Sequence, residues 1–121
     1  MSLGNEYLKV VQERFTSVKS LGEKTISQLS DDIHWSFNEA SNSVAVIVKH
    51  VSGNMVSRWT DFLTTDGEKS NRNREQEFEN DISSKQELMT IWEKGWNVLF
   101  AALNELSDQD LLKTIYIRGE R

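Results

Sequence analysis

The sequence contains no cysteine and no proline among its 121 residues, and it contains only two histidines. The absence of cysteine excludes disulfide bonds, thiolate catalysis and zinc sites built on sulfur. Without proline, helix ends must come from glycine, polar clusters and capping side chains. No run approaches the roughly 20 consecutive apolar residues that span a bilayer. We therefore expect a cytoplasmic protein with no membrane-spanning segment.

Basic residues are also scarce: the sequence has 14 lysines and arginines but 19 aspartates and glutamates, which gives a net charge of -5. A nucleic-acid surface needs concentrated lysine and arginine. The longest basic cluster, residues 71–74, is followed by Glu75 and Glu77, so we interpret it as a solvated loop and expect no nucleic-acid partner. The composition, 37% hydrophobic and 27% charged, is typical of one globular domain, which we assign to residues 1–121.

Apolar residues recur at helical spacing in three segments, which predicts three long amphipathic helices. The first covers residues 7–29, the second covers residues 41–63, and the third follows Ser84. The expected inward face of the first helix comprises Leu8, Val11, Phe15, Val18, Leu21, Thr25 and Leu29. Gly22 lies within this helix and is interpreted as a point of close approach to a neighbouring helix.

Capping residues predict where two of the helices begin. Ser41 or Asn42 can cap the second helix. Ser84 with Glu87 has the spacing of a capping box and predicts the start of the third helix. A second box at residues 107–110 predicts a short turn that ends near residue 112.

The segments between the helices are polar. Residues 64–83 predict a long surface loop, anchored at its far end by Phe78 and Ile82, with a short helical turn near residues 76–80. Residues 114–117 alternate in polarity and are rich in β-branched side chains, which predicts an extended segment.

The connector between the first two helices, residues 30–40, holds three further residues of interest. Trp35 and Phe37 are expected to pack onto the end of the bundle. His34, beside Trp35, is interpreted as a loop histidine that packs on the tryptophan.

Four segments together resemble a bacterial family of unknown function within the DinB/YfiT-like superfamily. They are IVKHVSGNMVSRWTDFLTTDGEK (residues 47–69), NRNREQEFEN (71–80), IWEKGWNVLFAALNEL (91–106) and TIYIRGE (114–120). The resemblance implies an all-α fold, an up-and-down-type helical bundle with a long crossover connection and a short extended segment before the last helix. Three of its helices are present, and we expect the fourth to be missing at the C-terminal side.

The resemblance also implies a divalent metal, nickel or zinc, held by three histidines. Only His50 matches one of these ligands, because the His-x-x-x-His of the last helix has no counterpart in this sequence. The implied function is a metal-dependent hydrolase or a thiol transferase that acts on a small molecule. On periodicity alone, His50 is a boundary residue at the edge of an apolar stripe.

Three further residues are expected to line a pocket: Asn54, Arg58 and Trp96. Each has an alternative interpretation. Arg58 and Asp61 are three residues apart and can form an exposed ion pair on one helix face. Trp96, like Trp59 and Trp92, can belong to the core instead of a pocket wall.

A second function class remains open. A bundle that lacks one helix exposes an apolar face, and such faces mark association sites. The chain is then a non-catalytic helical interaction module, and its expected partner is a second copy of itself in a homodimer.

Overall fold

The computed structural model describes residues 2–29, 39–79 and 81–120. Its elements are α1 (Leu3–Ser27), α2 (Glu39–Trp59), α3 (Lys85–Glu105) and two 3-10 helices, Gln76–Phe78 and Asp108–Leu112. These described residues contain no strand, only an isolated antiparallel bridge between Ile117 and Glu120. The predicted all-α class is confirmed. None of the described helices is apolar over a sufficient length to cross a membrane.

Helix α1 begins four residues earlier than predicted because Ser2 caps it. The Ser2 side-chain oxygen accepts a hydrogen bond from the backbone N–H of Asn5 at 3.0 Å, which satisfies one of the free amides at the helix start. The helix ends at Ser27, two residues before the predicted end.

Helix α2 is shifted toward the N-terminus relative to the prediction. It begins at Glu39, so the predicted capping residues Ser41 and Asn42 lie inside the helix. It ends at Trp59 because Asp61 adopts a φ of 47°. This left-handed conformation is incompatible with a continuing right-handed helix.

The two capping boxes are confirmed in position. The Ser84 oxygen accepts from the Glu87 N–H at 3.1 Å at the start of α3, whereas the Glu87 carboxylate accepts from Ser83 rather than from Ser84. In the second box, the Asp110 carboxylate accepts from the Ser107 N–H at 2.9 Å. Local side-chain bonds therefore determine where these two elements begin.

Helices α2 and α3 pack more extensively against each other than any other pair of elements. Gly95 makes the contact possible: a Cβ atom at this position would lie 2.8 Å from the Ser52 Cα and 2.6 Å from its Oγ. The Ser52 hydroxyl donates to the carbonyl of Ile91 at 2.8 Å across the same interface. The buried core comprises Ile26, Ala45, Val48, Met55, Ile82, Leu88, Trp92, Trp96, Leu99 and Leu103.

Helix α1 contacts mainly α3 and the 3-10 helix Asp108–Leu112. The predicted close approach at Gly22 is confirmed, since a Cβ atom there would lie 2.5 Å from the Trp92 ring. The predicted inward face is wrong at Val18, which is 54% exposed, and at Leu21, which is 64% exposed, whereas Leu29 packs against the core as predicted. Ile26, which was not assigned to that face, is 2% exposed. Helix α1 is therefore rotated relative to the prediction, and Gly22 faces the Trp92 ring.

A polar cluster also connects α1 to α3. The Lys19 Nζ lies 2.5 Å from the Glu23 carboxylate and 3.1 Å from the Glu93 carboxylate. The Trp92 indole N–H donates to Glu23 at 3.2 Å. The hydrogen bond from Lys19 lowers the pKa of Glu23. Because these charges are partly exposed, their ion pairs contribute little to the stability of the fold and mainly orient α1 relative to α3.

The loop after α2 is held against that helix by polar contacts. The Ser57 hydroxyl donates to the Gly67 carbonyl at 2.8 Å and accepts from the Lys69 N–H at 2.9 Å. Ile82 is 3% exposed, which confirms it as an anchor, but Phe78 is 62% exposed and the prediction for it is wrong. The predictions for His34, Trp35 and Phe37 lie outside the described residues.

The C-terminal segment is attached to this loop by Asp66. One carboxylate oxygen accepts from the N–H groups of Glu68 at 2.8 Å and Arg118 at 2.7 Å, and the other accepts from Gly119 at 2.7 Å. The Gly67 N–H donates to the Tyr116 carbonyl at 2.7 Å. These three bonds to backbone N–H groups, that of Glu68 foremost, hold the pKa of Asp66 below its ordinary value.

We predict that acid releases the C-terminal segment before it unfolds the helices. A carboxyl whose pKa is lowered in the folded state stabilises that state at neutral pH, and the contribution is lost as pH falls through the lowered pKa. The relevant window therefore lies below the ordinary aspartate pKa of about 3.9. NMR chemical shifts of the Arg118 and Gly119 amides should follow the Asp66 titration. In Asp66→Asn these shifts should already resemble the acid form at neutral pH, and wild-type shifts in that variant would contradict the attachment.

Candidate functional site

His50 lies in the middle of α2, and its ring is paired with a carboxylate from the loop. The Nδ1 atom is 3.0 Å from a carboxylate oxygen of Glu77, which belongs to the 3-10 helix Gln76–Phe78. The His50 side chain is 47% exposed, whereas the Glu77 side chain is 9% exposed. His50 is thus a boundary histidine held in orientation by a buried acid.

Glu77 is held chiefly by Arg72. The guanidinium of Arg72 donates through Nε at 3.0 Å and Nη2 at 3.1 Å to the two carboxylate oxygens of Glu77. The Arg72 side chain is only 3% exposed. The interpretation of residues 71–74 as a fully solvated loop is therefore wrong for Arg72. A two-point ion pair between a carboxylate and a guanidinium has the strongest geometry available to such groups.

Glu68 is another acid of this loop and forms ion pairs with three arginines, the longest to Arg72 Nη1 at 3.8 Å. Arg74 donates to it at 2.9 and 3.1 Å, and Arg58 Nη1 lies 3.2 Å from it. The hydrogen bonds from Arg74 lower the pKa of Glu68. The predicted pair between Arg58 and Asp61 is wrong, because Asp61 lies beyond the end of α2 and Arg58 turns toward Glu68 instead.

Beside these ion pairs lies a cleft of about 450 Å³ between α2, α3 and the loop, here named the loop cleft. Its volume falls in the range of small-molecule sites. It is lined by Lys49, Ser52, Gly53, Val56, Ser57, Asn71, Arg72, Asn73, Gln76, Glu77, Asp81, Ile82, Glu87, Ile91 and Lys94. One wall of the loop cleft therefore contains the buried pair of Arg72 and Glu77.

The three residues predicted to line a pocket do not border the loop cleft. Arg58 is engaged with Glu68, and Asn54 is half-buried on α2. Trp96 is 3% exposed and lies in the core against three aromatic rings, those of Phe15, Trp92 and Phe100. The assignment of Asn54, Arg58 and Trp96 to a pocket stays a prediction.

Sequence reasoning missed the most buried charged residues of the site. Lys49 is 8% exposed and donates to the carbonyls of Gln76 and Glu79 and to the Asp81 carboxylate. Its position beside His50 on α2 gave no signal of burial, because its partners come from 27 to 32 residues further along the chain. The contact between His50 and Glu77 was missed for the same reason, because the two residues are 27 positions apart in the sequence.

Comparison with known proteins identifies the family. A family model described as a protein of unknown function, DUF1572, matches residues 2–121. The chain belongs to this family. No curated protein and no solved structure matches the sequence. The DUF1572 description assigns no activity, so a function for the chain must be argued from its own side chains.

The metal site implied by the resemblance can be tested against the residues of this DUF1572 chain. A zinc site needs about three protein ligands. Within residues 2–29, 39–79 and 81–120, no group of three or more histidine, aspartate or glutamate side chains comes together to hold a metal ion. The acid nearest His50, Glu77, is already bound by Arg72. The described residues do not fit nickel or zinc.

We predict that Glu77 matters far more to stability than His50. Glu77→Gln keeps the shape of the side chain but removes the charge that the buried guanidinium of Arg72 contacts at two points, leaving only the longer ion pair with Glu68 at 3.8 Å, which should cost about 2–4 kcal/mol. His50→Gln removes only a half-exposed partner and should cost at most about 1 kcal/mol. Urea denaturation of both variants measures the difference. If both variants lost the same free energy of unfolding, the ion pair between Glu77 and Arg72 would not be the central contact.

Proposed function

We propose that the chain is a cytoplasmic bacterial helical module that self-associates through the outer surface of α1. The supporting observation is a row of large apolar side chains on α1, each at least 50% exposed: Leu3, Tyr7, Val10, Val18 and Leu21. We name it the outer row. Helical geometry places it roughly 100° around α1 from the face that packs on α3. The lack of cysteine suits a reducing compartment.

The length of the outer row suits a helix-to-helix contact. From Leu3 to Leu21 it extends about 27 Å along α1. Exposed apolar side chains that cluster on one face mark association sites, and here they form two clusters, Leu3 to Val10 and Val18 to Leu21, separated by Arg14. Two such rows packed together exclude water from both, which is the main favourable contribution to association.

The charges beside the outer row favour a second copy in antiparallel orientation. Glu6 and Glu13 lie in the first half of α1 and Lys24 lies in its last turn. If two helices cross at Arg14, Glu6 of one copy lies within one turn of Lys24 of the other. This crossing sets Arg14 of one copy opposite Arg14 of the other, with Glu13 of each copy one residue away. A parallel pair would set Glu6 against Glu6, which is unfavourable.

We predict that Leu21→Glu disrupts this association. In the proposed pair Leu21 packs near Tyr7 of the other copy, and burying an unpaired carboxylate in that apolar contact should raise the dimer dissociation constant at least about 100-fold. Sedimentation equilibrium across a concentration series measures it, since one chain has a mass of 14.0 kDa. Ser20→Glu is the matched control, because it adds the same charge one position away and off the outer row.

The antiparallel orientation has a separate test. Glu6→Lys alone should weaken the dimer, and Glu6→Lys combined with Lys24→Glu should restore it. A wild-type chain that stays monomeric at all concentrations would refute the proposed self-association. A dimer that Leu21→Glu leaves intact would place the contact elsewhere.

A second candidate function is the divalent-metal-dependent hydrolase or thiol transferase implied by the resemblance. The observation in its favour is the pairing of His50 Nδ1 with Glu77 at 3.0 Å. Metal-binding histidines commonly have one ring nitrogen oriented by a carboxylate in this way. Such an enzyme needs two more ligands than the described residues supply, and its substrate would be a small electrophile or a thiol.

Isothermal titration with Zn²⁺ or Ni²⁺ separates the two candidates. Because the described residues supply a single histidine at this position, we expect weak binding that is the same in the wild type and in His50→Ala. One tightly bound equivalent of metal that is lost in His50→Ala would instead support the enzyme. The protein for this experiment should be purified without chelators or metal-affinity resin.

A further inference from the structure

The loop cleft lies apart from the outer row and has an apolar floor. Ile82, which is 3% exposed, lines it together with the partly buried Ile91 and Val56. A floor of this kind takes up the hydrocarbon part of a ligand, while a few polar groups at the rim set its orientation. The chemistry of the rim therefore indicates the class of ligand.

The acidic groups of the loop cleft are all engaged within the protein. Glu77 is bound by Arg72 and His50. Asp81 accepts from Lys49 at 2.7 Å. A carboxylate that already has a cationic partner within the protein attracts a cationic ligand less strongly than an unpaired one.

The third acid, Glu87, is bound to Ser83. Its carboxylate accepts from the backbone N–H of Ser83 at 3.2 Å and from the Ser83 hydroxyl at 3.0 Å, at the start of α3. Lys94 lies seven residues further along the same helix, about 10 Å away. Glu87 therefore does not neutralise Lys94 by direct contact.

The donors at the rim are, by contrast, uncommitted. Within the described part of the chain, the exposed Lys94 ammonium forms no ion pair, and the side chains of Asn71 and Gln76 form no hydrogen bond. The Asn73 side-chain oxygen caps the Gln76 N–H at 3.1 Å, which leaves its NH₂ group free to donate. The rim thus presents one cation and several amide donors without matching acceptors.

We propose that the loop cleft is a binding site for a small carboxylic acid with an apolar body. The carboxylate accepts from Lys94 and from the side-chain amide of Asn73, and the hydrocarbon part lies on Val56, Ile82 and Ile91. Hydrogen bonds to a charged acceptor are the stronger class, which gives the acid its advantage over a neutral analogue. The site is independent of the self-association proposed above, because it uses no residue of α1.

The experiment follows amide chemical shifts of the full chain by NMR during titration with phenylpropanoate. Phenylpropanamide and phenylpropylamine serve as neutral and cationic analogues of the same shape. We expect the acid to bind in the millimolar range, as a probe of this size should. The shifts should concentrate at Gly53, Asn73, Ile91 and Lys94. The amide and the amine should bind at least roughly tenfold more weakly.

Two variants test the assigned donors. Lys94→Gln removes the charge, and Asn73→Asp keeps the oxygen that caps Gln76 while replacing the free NH₂ with a negative charge. Each should weaken phenylpropanoate binding roughly tenfold. Lys9→Gln, an exposed lysine on α1, is the matched control and should leave the affinity unchanged. The dispersion of the amide spectrum reports whether each variant is folded.

Several results would overturn the proposal. Absence of shifts in the loop cleft at millimolar phenylpropanoate excludes the site. Equal binding of the acid, the amide and the amine reduces the site to apolar adsorption. Unchanged affinity in both Lys94→Gln and Asn73→Asp removes the assigned donors. Shifts that concentrate on the outer row instead would indicate binding to the association surface.

Discussion

The close contact of α2 with α3 at Gly95 is the constraint on which the rest of the structure depends. Because Gly95 has no side chain, the Ser52 backbone can lie against α3, and the Ser52 hydroxyl bonds across the interface. Two helices at this separation leave room beside them for the long loop to fold back onto α2. Lys49 holds the loop there through Asp81 and two carbonyls. The loop cleft is the space that remains between α2, α3 and the loop.

The buried ion pair of Arg72 and Glu77 gives the loop a single arrangement. Removing both groups from water is costly, and only their two-point contact offsets that cost. The pair therefore selects one position of the 3-10 helix Gln76–Phe78 over others that would leave either charge buried alone. That position places a carboxylate oxygen of Glu77 within 3.0 Å of the Nδ1 atom of His50. A histidine that appears in the sequence as a ligand candidate is, in the fold, oriented by a loop more than 20 residues away.

Contacts between residues close together in the sequence were easier to predict than contacts between residues far apart in the chain. Some bonds within four residues were predictable, and the boxes at Ser84 and Ser107 lie where expected, but the Ser2 cap was missed and Arg58 pairs with Glu68 instead of Asp61. Gly22 was also predictable as a close approach, although its partner was not. The rotation of α1 was not predictable, since its apolar arc is broad enough to include both Val18 and Ile26, and the position of Trp92 on another helix decides between them. The partners of His50 and Arg72 were hidden for the same reason.

The broad apolar arc of α1 also links the fold to the proposed association. One edge of the arc packs on α3, with Ile26 buried, while the other edge holds Tyr7, Val10 and Val18 in contact with water. α1 has few partners besides α3 and one short 3-10 helix, so its docking is the least supported part of the helical core. A second copy on the exposed edge would bind only the helical form of α1. By linkage, it would stabilise that helix by an amount that grows with the logarithm of the protein concentration. Association and the folding of α1 are then one coupled equilibrium, and a substitution that weakens either one weakens the other.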